Sequence, residues 1–247
     1  MQNTPNLAGI RIAGDYQDLE SLYMALHAIV GEDGEYQTFD SARLRVLGVC
    51  YDIRHAFQGD REVEFVPNHM DRERMRWHGI IAPEQNLYYK VSIYYPELLF
   101  VVSALNQFIR LTAKKMANSA RNPLTDKRAA WDGAIAQVRL FQSQVAKCLK
   151  EAVTDASYHR MMTLMHRDYP WMEEYMDQYL DLLNIRYLYL ESREERQRAL
   201  LTTVKRMVER GAEYQDLVRD IWREALAQGC RVDELTLVKE YPDDIAW

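Results

Sequence analysis

The sequence predicts a helix-dominated α+β protein, with a small sheet of three to four strands in the N-terminal half and a helical C-terminal half. Three observations predict this class. Hydrophobic residues make up 48% of the 247 residues, and the chain has only 10 Gly and 7 Pro, which is typical of a globular protein with long helices. In the first half, short segments alternate between apolar and polar residues, as half-buried strands do. In the second half, apolar residues recur at spacings of three and four, as on amphipathic helices.

The elements of the first half follow from these two periodicities. We predict strands at 7–13, 62–66 and 87–95. Asp18 is expected to cap a helix that ends at Val30, and Asp40 a helix over 41–58. Pro96 suits the first turn of a third helix, whose apolar residues surround it almost completely and therefore indicate a buried position.

The second half contains a run of helical patterns after a polar segment at 118–126. That segment suggests a boundary between an α+β region at 1–120 and a helical region at 121–247, although one continuous domain fits as well. The helices are predicted at 131–152, 155–167, 171–190, 193–210 and 213–228, with a possible short strand at 235–238.

Composition excludes several functional classes. The formal net charge is -6 and is shared evenly by the two halves, so nucleic acid is an unlikely partner. No apolar run is long enough to span a membrane and no secretory signal is recognisable. The three cysteines form no CxxC motif, which favours a reducing cytoplasm over a disulfide framework. Common nucleotide, hydrolase and zinc motifs are absent, so we expect no cofactor and no metal.

The helix predicted at 41–58 carries two apolar stripes on opposite sides. One stripe contains Val46, Val49, Cys50, Ile53 and Phe57. The other contains Leu44, Gly48, Tyr51 and His55. Such a helix is expected to be sandwiched, either within the core or between the core and a second subunit, so this second stripe is a candidate interface for self-association.

A dense group of charged residues follows at the end of this helix. The candidate catalytic residues are Asp52, His55, Asp60 and Glu62, and the candidate ligand-binding residues are Arg54, Arg61 and Tyr51. His55 lies three residues after Asp52 and could act as a base oriented by that carboxylate. The alternative is purely structural, because arginine–carboxylate pairs often satisfy the end of a helix.

Three other groups are better explained by structure than by chemistry. His69, Asp71 and His78 flank Arg72, Arg74 and Arg76, which is typical of a solvated turn or short helix, although a weak nucleic-acid surface remains an alternative. His159, Met162 and His166 share a helical face that packing explains better than a soft metal does. An aromatic stripe indicates packing or an interface and contains Trp171, Tyr175, Tyr179, Tyr187 and Tyr189.

Several segments resemble an uncharacterised family of bacterial proteins, chiefly from Gram-positive spore formers. The resemblance is strongest in the segment ARLRVLGVCYDIRHAFQGDREVEF at 42–65. It extends to NLAGI at 6–10, GDY at 14–16, PELLFV at 96–101 and EYPDDIAW at 240–247. It implies a bacterial cytosolic origin and carries over no catalytic residue.

These observations favour a non-enzymatic cytoplasmic interaction or regulatory protein that forms a homodimer. The main alternative is a hydrolase or nucleotide-processing enzyme that uses the charged cluster at 52–62 on an anionic substrate, with its arginines contacting phosphate or carboxylate groups. A second alternative is weak nucleic-acid binding through the arginines near residue 74.

Overall fold

The computed structural model describes residues 1–117, 121–167, 172, 175–235 and 240–247. The strands are β1 (Gln2–Asn3), β2 (Gly9–Gly14), β3 (Glu62–Pro67) and β4 (Gln85–Tyr94). The helices of the N-terminal half are α1 (Tyr16–Val30), α2 (Asp40–Phe57), α3 (Arg72–His78) and α4 (Tyr95–Met116). Further helices are α5 (Lys127–Ala130), α6 (Gly133–Ala152), α7 (Asp155–Met165), α8 (Met176–Leu188), α9 (Arg193–Glu209) and α10 (Ala212–Gln228). The predicted α+β class with a small N-terminal sheet is confirmed.

The four strands form one antiparallel sheet in the order β1-β2-β4-β3. In the centre, Ile10 lies opposite Ile93 and Ile12 opposite Val91, so the alternating apolar residues of both strands share one buried face. Gly9 is required at this point, because a Cβ atom there would lie only 1.9 Å from the carbonyl oxygen of Ile93. Within the described residues, β3 pairs only with β4 and forms an edge of the sheet.

Helix α4 lies at the centre of the hydrophobic core. It contacts α1, α2, α6, α8 and α9 as well as β2 and β4. Its apolar side chains are buried on every side, as the sequence predicts. The hydroxyl of Thr112 donates a hydrogen bond to the carbonyl of Ile29 at 3.0 Å, which ties its last turns to the end of α1. Buried residues from both halves of the chain belong to one hydrophobic cluster around this helix.

Both predicted helix caps of the first half are wrong. Helix α1 begins three residues earlier than expected, with Asp15 as the N-cap and Asp18 completing a capping box at its third position. Helix α2 already includes Asp40, and its N-cap residue Phe39 makes no side-chain cap. At α1, Asp15 and Asp18 are both suitable N-cap residues, and the structure uses the earlier one. At α2, a short 3-10 turn at Gln37–Phe39 leads directly into the helix.

The remaining differences are local. The structure adds the short strand β1, which was not predicted. It also resolves the segment that was predicted as a turn or short helix into the helix α3. At the proposed boundary, a 3-10 turn at Pro123–Thr125 leads into α5, and residues 118–120 lie outside the described part. Most of the possible strand at 235–238 and part of the predicted helix at 171–190, including Trp171, also lie outside it. In the described part, no helix has both the length and the hydropathy needed to cross a bilayer.

Candidate functional site

A cavity of about 690 Å³ lies between α2, β4, α8 and the C-terminal segment. Small-molecule sites typically have volumes in this range. Helix α2 contributes Leu44, Gly48, Tyr51 and Asp52, which are mainly residues of the second apolar stripe. The sheet contributes the stretch of β4 from Lys90 to Tyr94, and Tyr241 and Trp247 close the opposite side.

Two carboxylates share one arginine at the floor of the cavity: Glu97 and Arg45 line it, and Asp181 pairs with Arg45 without being a lining residue. The guanidinium of Arg45 lies 2.8 Å from Oδ1 of Asp181 and 3.4 Å from Oε2 of Glu97. The side chains of Arg45, Glu97 and Asp181 are 21%, 14% and 27% exposed, so water screens them only partly. When both carboxylates are ionised, this group of three side chains carries one excess negative charge.

Asn184 completes the floor and leaves one of its polar atoms without a partner. Its Nδ2 atom donates to Oε2 of Glu97 at 2.8 Å. Its Oδ1 atom is buried and accepts no hydrogen bond from the described residues. An unpaired buried acceptor costs free energy, so the floor suits a hydrogen-bond donor.

Burial perturbs the acidity of the floor. Desolvation raises the pKa of Glu97 above its usual value, and the nearby carboxylates of Asp181 and Asp52 add to this effect. Arg45 and Asn184 act in the opposite direction by stabilising the carboxylate. A bound cation would also favour the ionised form of Glu97.

Aromatic rings cover the floor. Tyr94 stacks on Trp247 with ring centroids 5.3 Å apart and on Tyr241 at 6.1 Å. The hydroxyl of Tyr241 also donates to Oδ1 of Asp181 at 2.9 Å, which links the aromatic wall to the acidic floor. Tyr51 adds a further ring on the α2 side, and 53% of this residue is exposed.

The C-terminal wall is held in place by Arg196. This arginine is buried and donates hydrogen bonds to the carbonyl oxygens of Asn6, Leu188 and Ala246. The carbonyl of Trp247 in turn accepts a hydrogen bond from the amide of Asn6 at 3.1 Å. These hydrogen bonds tie the C-terminal wall to the end of α8, the start of α9 and the segment before β2.

The structure divides the charged cluster that the sequence singled out. Asp52, Arg61 and Glu62 line the mouth of the cavity, whereas His55, Asp60 and Arg54 do not line it. Asp52 pairs with Arg61 at 3.0 Å and Glu62 lies 3.6 Å from Arg11. These charges are therefore largely compensated within the chain.

The expected pairing of His55 with Asp52 is wrong. Nδ1 of His55 lies 2.8 Å from Oδ2 of Asp60. The backbone turns sharply at Gly59, whose φ of 90° is suited to glycine, and this turn brings Asp60 back to the helix end. Arg54 lies over the ring of Tyr51 at 5.5 Å from its centroid.

The second stripe of α2 is not covered by the core of this chain, which excludes one of the two arrangements expected for it. Leu44 and Tyr51 are exposed, and no atom lies within 4 Å of the position that a Cβ of Gly48 would occupy. His55 is only partly buried and its ring lies 4.2 Å from that of Tyr51. Leu44, Gly48 and Tyr51 of this stripe line the cavity, whereas His55 does not, and the use of the stripe as an interface stays a prediction.

Of the aromatic stripe, Tyr179 and Tyr187 are buried, Tyr175 is partly buried and Tyr189 is exposed. Their position fits packing more than ring stacking with a ligand. In the described part of the chain, no group of three or more His, Cys, Asp or Glu side chains is arranged to hold a metal ion.

Sequence reasoning missed the floor of the cavity. Glu97 follows Pro96 at the start of a buried helix, and a lone acidic residue in such a helix was the available signal. Asn184 is a similar polar exception on the buried face of α8. Nothing in the sequence indicated that Glu97 meets both Asn184 and Arg45.

Comparison with known proteins gives a family but no activity. A family model described as Domain of unknown function (DUF6904) matches residues 1–247. No curated protein and no solved structure matches the chain significantly.

Proposed function

The chain belongs to the DUF6904 family over its whole length, and we propose that it is a non-enzymatic regulatory protein whose cavity binds a small organic amine. The observation that carries this proposal is the pair of carboxylates Glu97 and Asp181, which share Arg45 at the floor of the cavity, where Glu97 lines the cavity and Asp181 supports Arg45. The other two cations of the lining, Arg61 and Lys90, are paired with Asp52 and Glu64. We also propose a bacterial, cytoplasmic setting, which the resemblance and the three free cysteines support.

The chemistry of the ligand follows from the floor and the wall together. A protonated amine supplies both the positive charge that the floor lacks and a donor for Oδ1 of Asn184. A flat or apolar group attached to the amine would lie against Tyr94 and Trp247, whose rings also attract cations. An anionic ligand would meet the two carboxylates of the floor and would be repelled.

The test is a titration with three probes that share a ring and differ in charge. Phenethylamine, phenethyl alcohol and phenylacetate are added separately to the full chain, and binding is followed by amide chemical shifts in protein NMR spectra. We expect the amine to bind most tightly and phenylacetate most weakly. Binding of the amine should weaken at acidic pH, because the raised pKa of Glu97 causes its carboxylate to be protonated sooner than usual.

Glu97→Gln provides the decisive variant. It keeps the shape of the side chain and leaves Arg45 paired with Asp181, so we expect the fold to persist. A charge-assisted hydrogen bond contributes about 1.5–3 kcal/mol, so the amine should lose roughly 10- to 100-fold in affinity and bind about as weakly as the alcohol. The matched control is Glu62→Gln at the cavity mouth, where the side chain is 63% exposed and affinity should change little.

Two results would contradict the amine proposal. One is the absence of saturable binding by any of the three probes. The other is a preference for phenylacetate, which would instead favour the enzymatic alternative, in which Arg61 receives an anionic substrate beside Asp52 and Glu62. That alternative stays a prediction.

A further inference from the structure

A second surface of the molecule, at the β3 edge of the sheet, carries apolar residues that the described chain leaves largely exposed. We call the segment from Gln58 to Lys90 the arm. It contains β3, α3 and the first residues of β4, and not one of its residues is buried. The arm therefore contributes no fully buried side chain, and among its apolar residues Tyr89 at its end packs against the core.

The arm is nevertheless rich in large apolar side chains. Six of them are exposed to solvent by the following fractions: Trp77 81%, Ile81 101%, Phe65 65%, Ile80 45%, Val63 44% and Leu87 36%. With full areas of about 150–250 Å² for the larger side chains, the six expose roughly 700 Å² in all. Each partner in a standard protein–protein interface contributes about 800 Å², so an interface that engaged all six side chains would draw most of one side from the arm.

The geometry of β3 favours a partner that also presents a strand. β3 is the edge of the sheet, and the only strand paired with it in the described structure is β4. Val63 lies opposite Tyr89 and Phe65 opposite Leu87, which places these apolar residues on one face of a two-stranded ribbon. An exposed apolar edge of this kind is usually protected in natural proteins, because it readily pairs with another strand.

The charges of the arm suit an identical partner. A two-fold contact brings the same surface together twice, so a surface of a single sign would repel its own copy. The arm carries both signs, with Glu62 and Glu64 on β3 and Arg72 and Arg76 on α3. A strongly basic surface for nucleic acid or a uniformly acidic one is not present.

We propose that the arm joins two copies of this chain into a homodimer through the edge of β3 and the exposed apolar residues of α3 and its following loop. This interface is distinct from the second stripe of α2, which lines the cavity. The proposal does not depend on the amine ligand, since no residue needed for the acidic floor lies in the arm.

The test is sedimentation equilibrium of the full chain at micromolar concentrations. We expect the wild-type protein to sediment as a dimer of 29.1 kDa subunits. Removing a central apolar anchor typically costs an interface at least about 30-fold in affinity, so Phe65→Glu and Trp77→Glu should each sediment as monomers. Circular dichroism should show that both variants keep the wild-type fold, because neither side chain contributes to the core.

Matched variants on other surfaces make the test specific. Trp131→Glu is the control for exposure alone, because Trp131 is 89% exposed and lies outside the arm, so this variant should remain a dimer. Leu44→Glu changes the second stripe of α2 and should also remain a dimer. A monomeric wild-type protein, a dimer that survives both arm variants, or a dimer that only Leu44→Glu dissociates would each overturn the proposal.

Discussion

Helix α4 and the arm both carry many large apolar side chains, yet α4 buries them whereas the arm exposes them. Phe108 in α4 is fully buried and packs against Phe39 and Tyr36 at ring centroid distances of 6.4 and 6.3 Å. Phe65 in the arm is 65% exposed. The same residue type therefore stabilises the fold in one place and, on our proposal, an assembly in the other.

One strand passes from the first environment into the second. In β4, Val91 and Ile93 are buried under the helices, whereas Gln85 to Leu87 are exposed and pair only with β3. Alternation between apolar and polar residues continues along the whole strand, so it cannot mark the point where the core ends. Burial depends on which helices lie over the sheet. The helices of the rest of the described chain, which we call the body, leave the residues of the arm exposed or only partly buried.

The largest expected difference between the two regions is in folding stability. Phe108→Ala should lower the free energy of unfolding by about 3–5 kcal/mol, because it leaves a cavity in a packed core. Phe65→Ala should change the same quantity by no more than about 0.5 kcal/mol, as surface substitutions do. Urea denaturation at protein concentrations low enough to avoid association measures both values.

Equal losses for the two variants would contradict this contrast. That result would mean that the arm packs against the body in solution and belongs to its core. It would also remove the premise that arm variants test association without disturbing the fold.

A smaller contrast is expected from two helix caps of the same chemistry. Asp15 accepts a hydrogen bond from the amide of Asp18 at 2.9 Å at the start of α1, and Asp71 accepts one from the amide of Arg74 at 2.8 Å at the start of α3. Asp15→Ala should lower the free energy of unfolding by about 1 kcal/mol, since α1 packs in the core. Asp71→Ala should leave it unchanged and only increase hydrogen exchange within α3, because α3 contributes no buried side chain.

The measurement for this pair combines urea denaturation with hydrogen exchange on each variant. If Asp71→Ala also destabilised the whole protein, α3 would be coupled to global unfolding. The arm would then not be separable from the body in the way that its exposure implies.

The sequence predicted the positions of the helices and strands better than it predicted what packs against each of them. Periodicity located β2, β4 and α4 to within a few residues, because it reports which side of an element is apolar. Periodicity also identified two apolar stripes on α2. It could not show whether the second stripe faces another helix, a cavity or a second subunit. Leu44 and Tyr51 are consequently exposed where coverage by the core was one of the two expectations.

The candidate site shows a second limit of the sequence. Its floor brings together Arg45, Glu97, Asp181 and Asn184 from three helices, and no short-range spacing relates them. Even within eleven residues, spacing along a helix favoured Asp52 as the partner of His55, whereas the turn at Gly59 supplies Asp60. The sequence analysis grouped Asp52, Arg61 and Glu62 in one charged cluster, and all three line the cavity. It did not predict the polar residues of the cavity floor.

The smallest expected effect concerns an ion pair outside the arm, whose contribution to folding stability should depend on pH. Glu35 accepts hydrogen bonds from Nζ of Lys115 at 2.9 Å and from the amide of Glu32 at 3.0 Å, which lowers the pKa of its carboxyl to about 2. Because this pKa is depressed, the carboxylate stabilises the folded state above the ordinary value of 4.5, and this stability is lost as the pH falls toward about 2. Lys115 is 68% exposed, so solvent screening limits the gain to about 0.5–1 kcal/mol. Urea denaturation of wild type and of Glu35→Gln, from neutral to acidic pH, measures this effect. We expect the difference between their free energies of unfolding to shrink as the pH falls. A difference that does not depend on pH would show that this carboxylate does not stabilise the turn between α1 and the 3-10 segment.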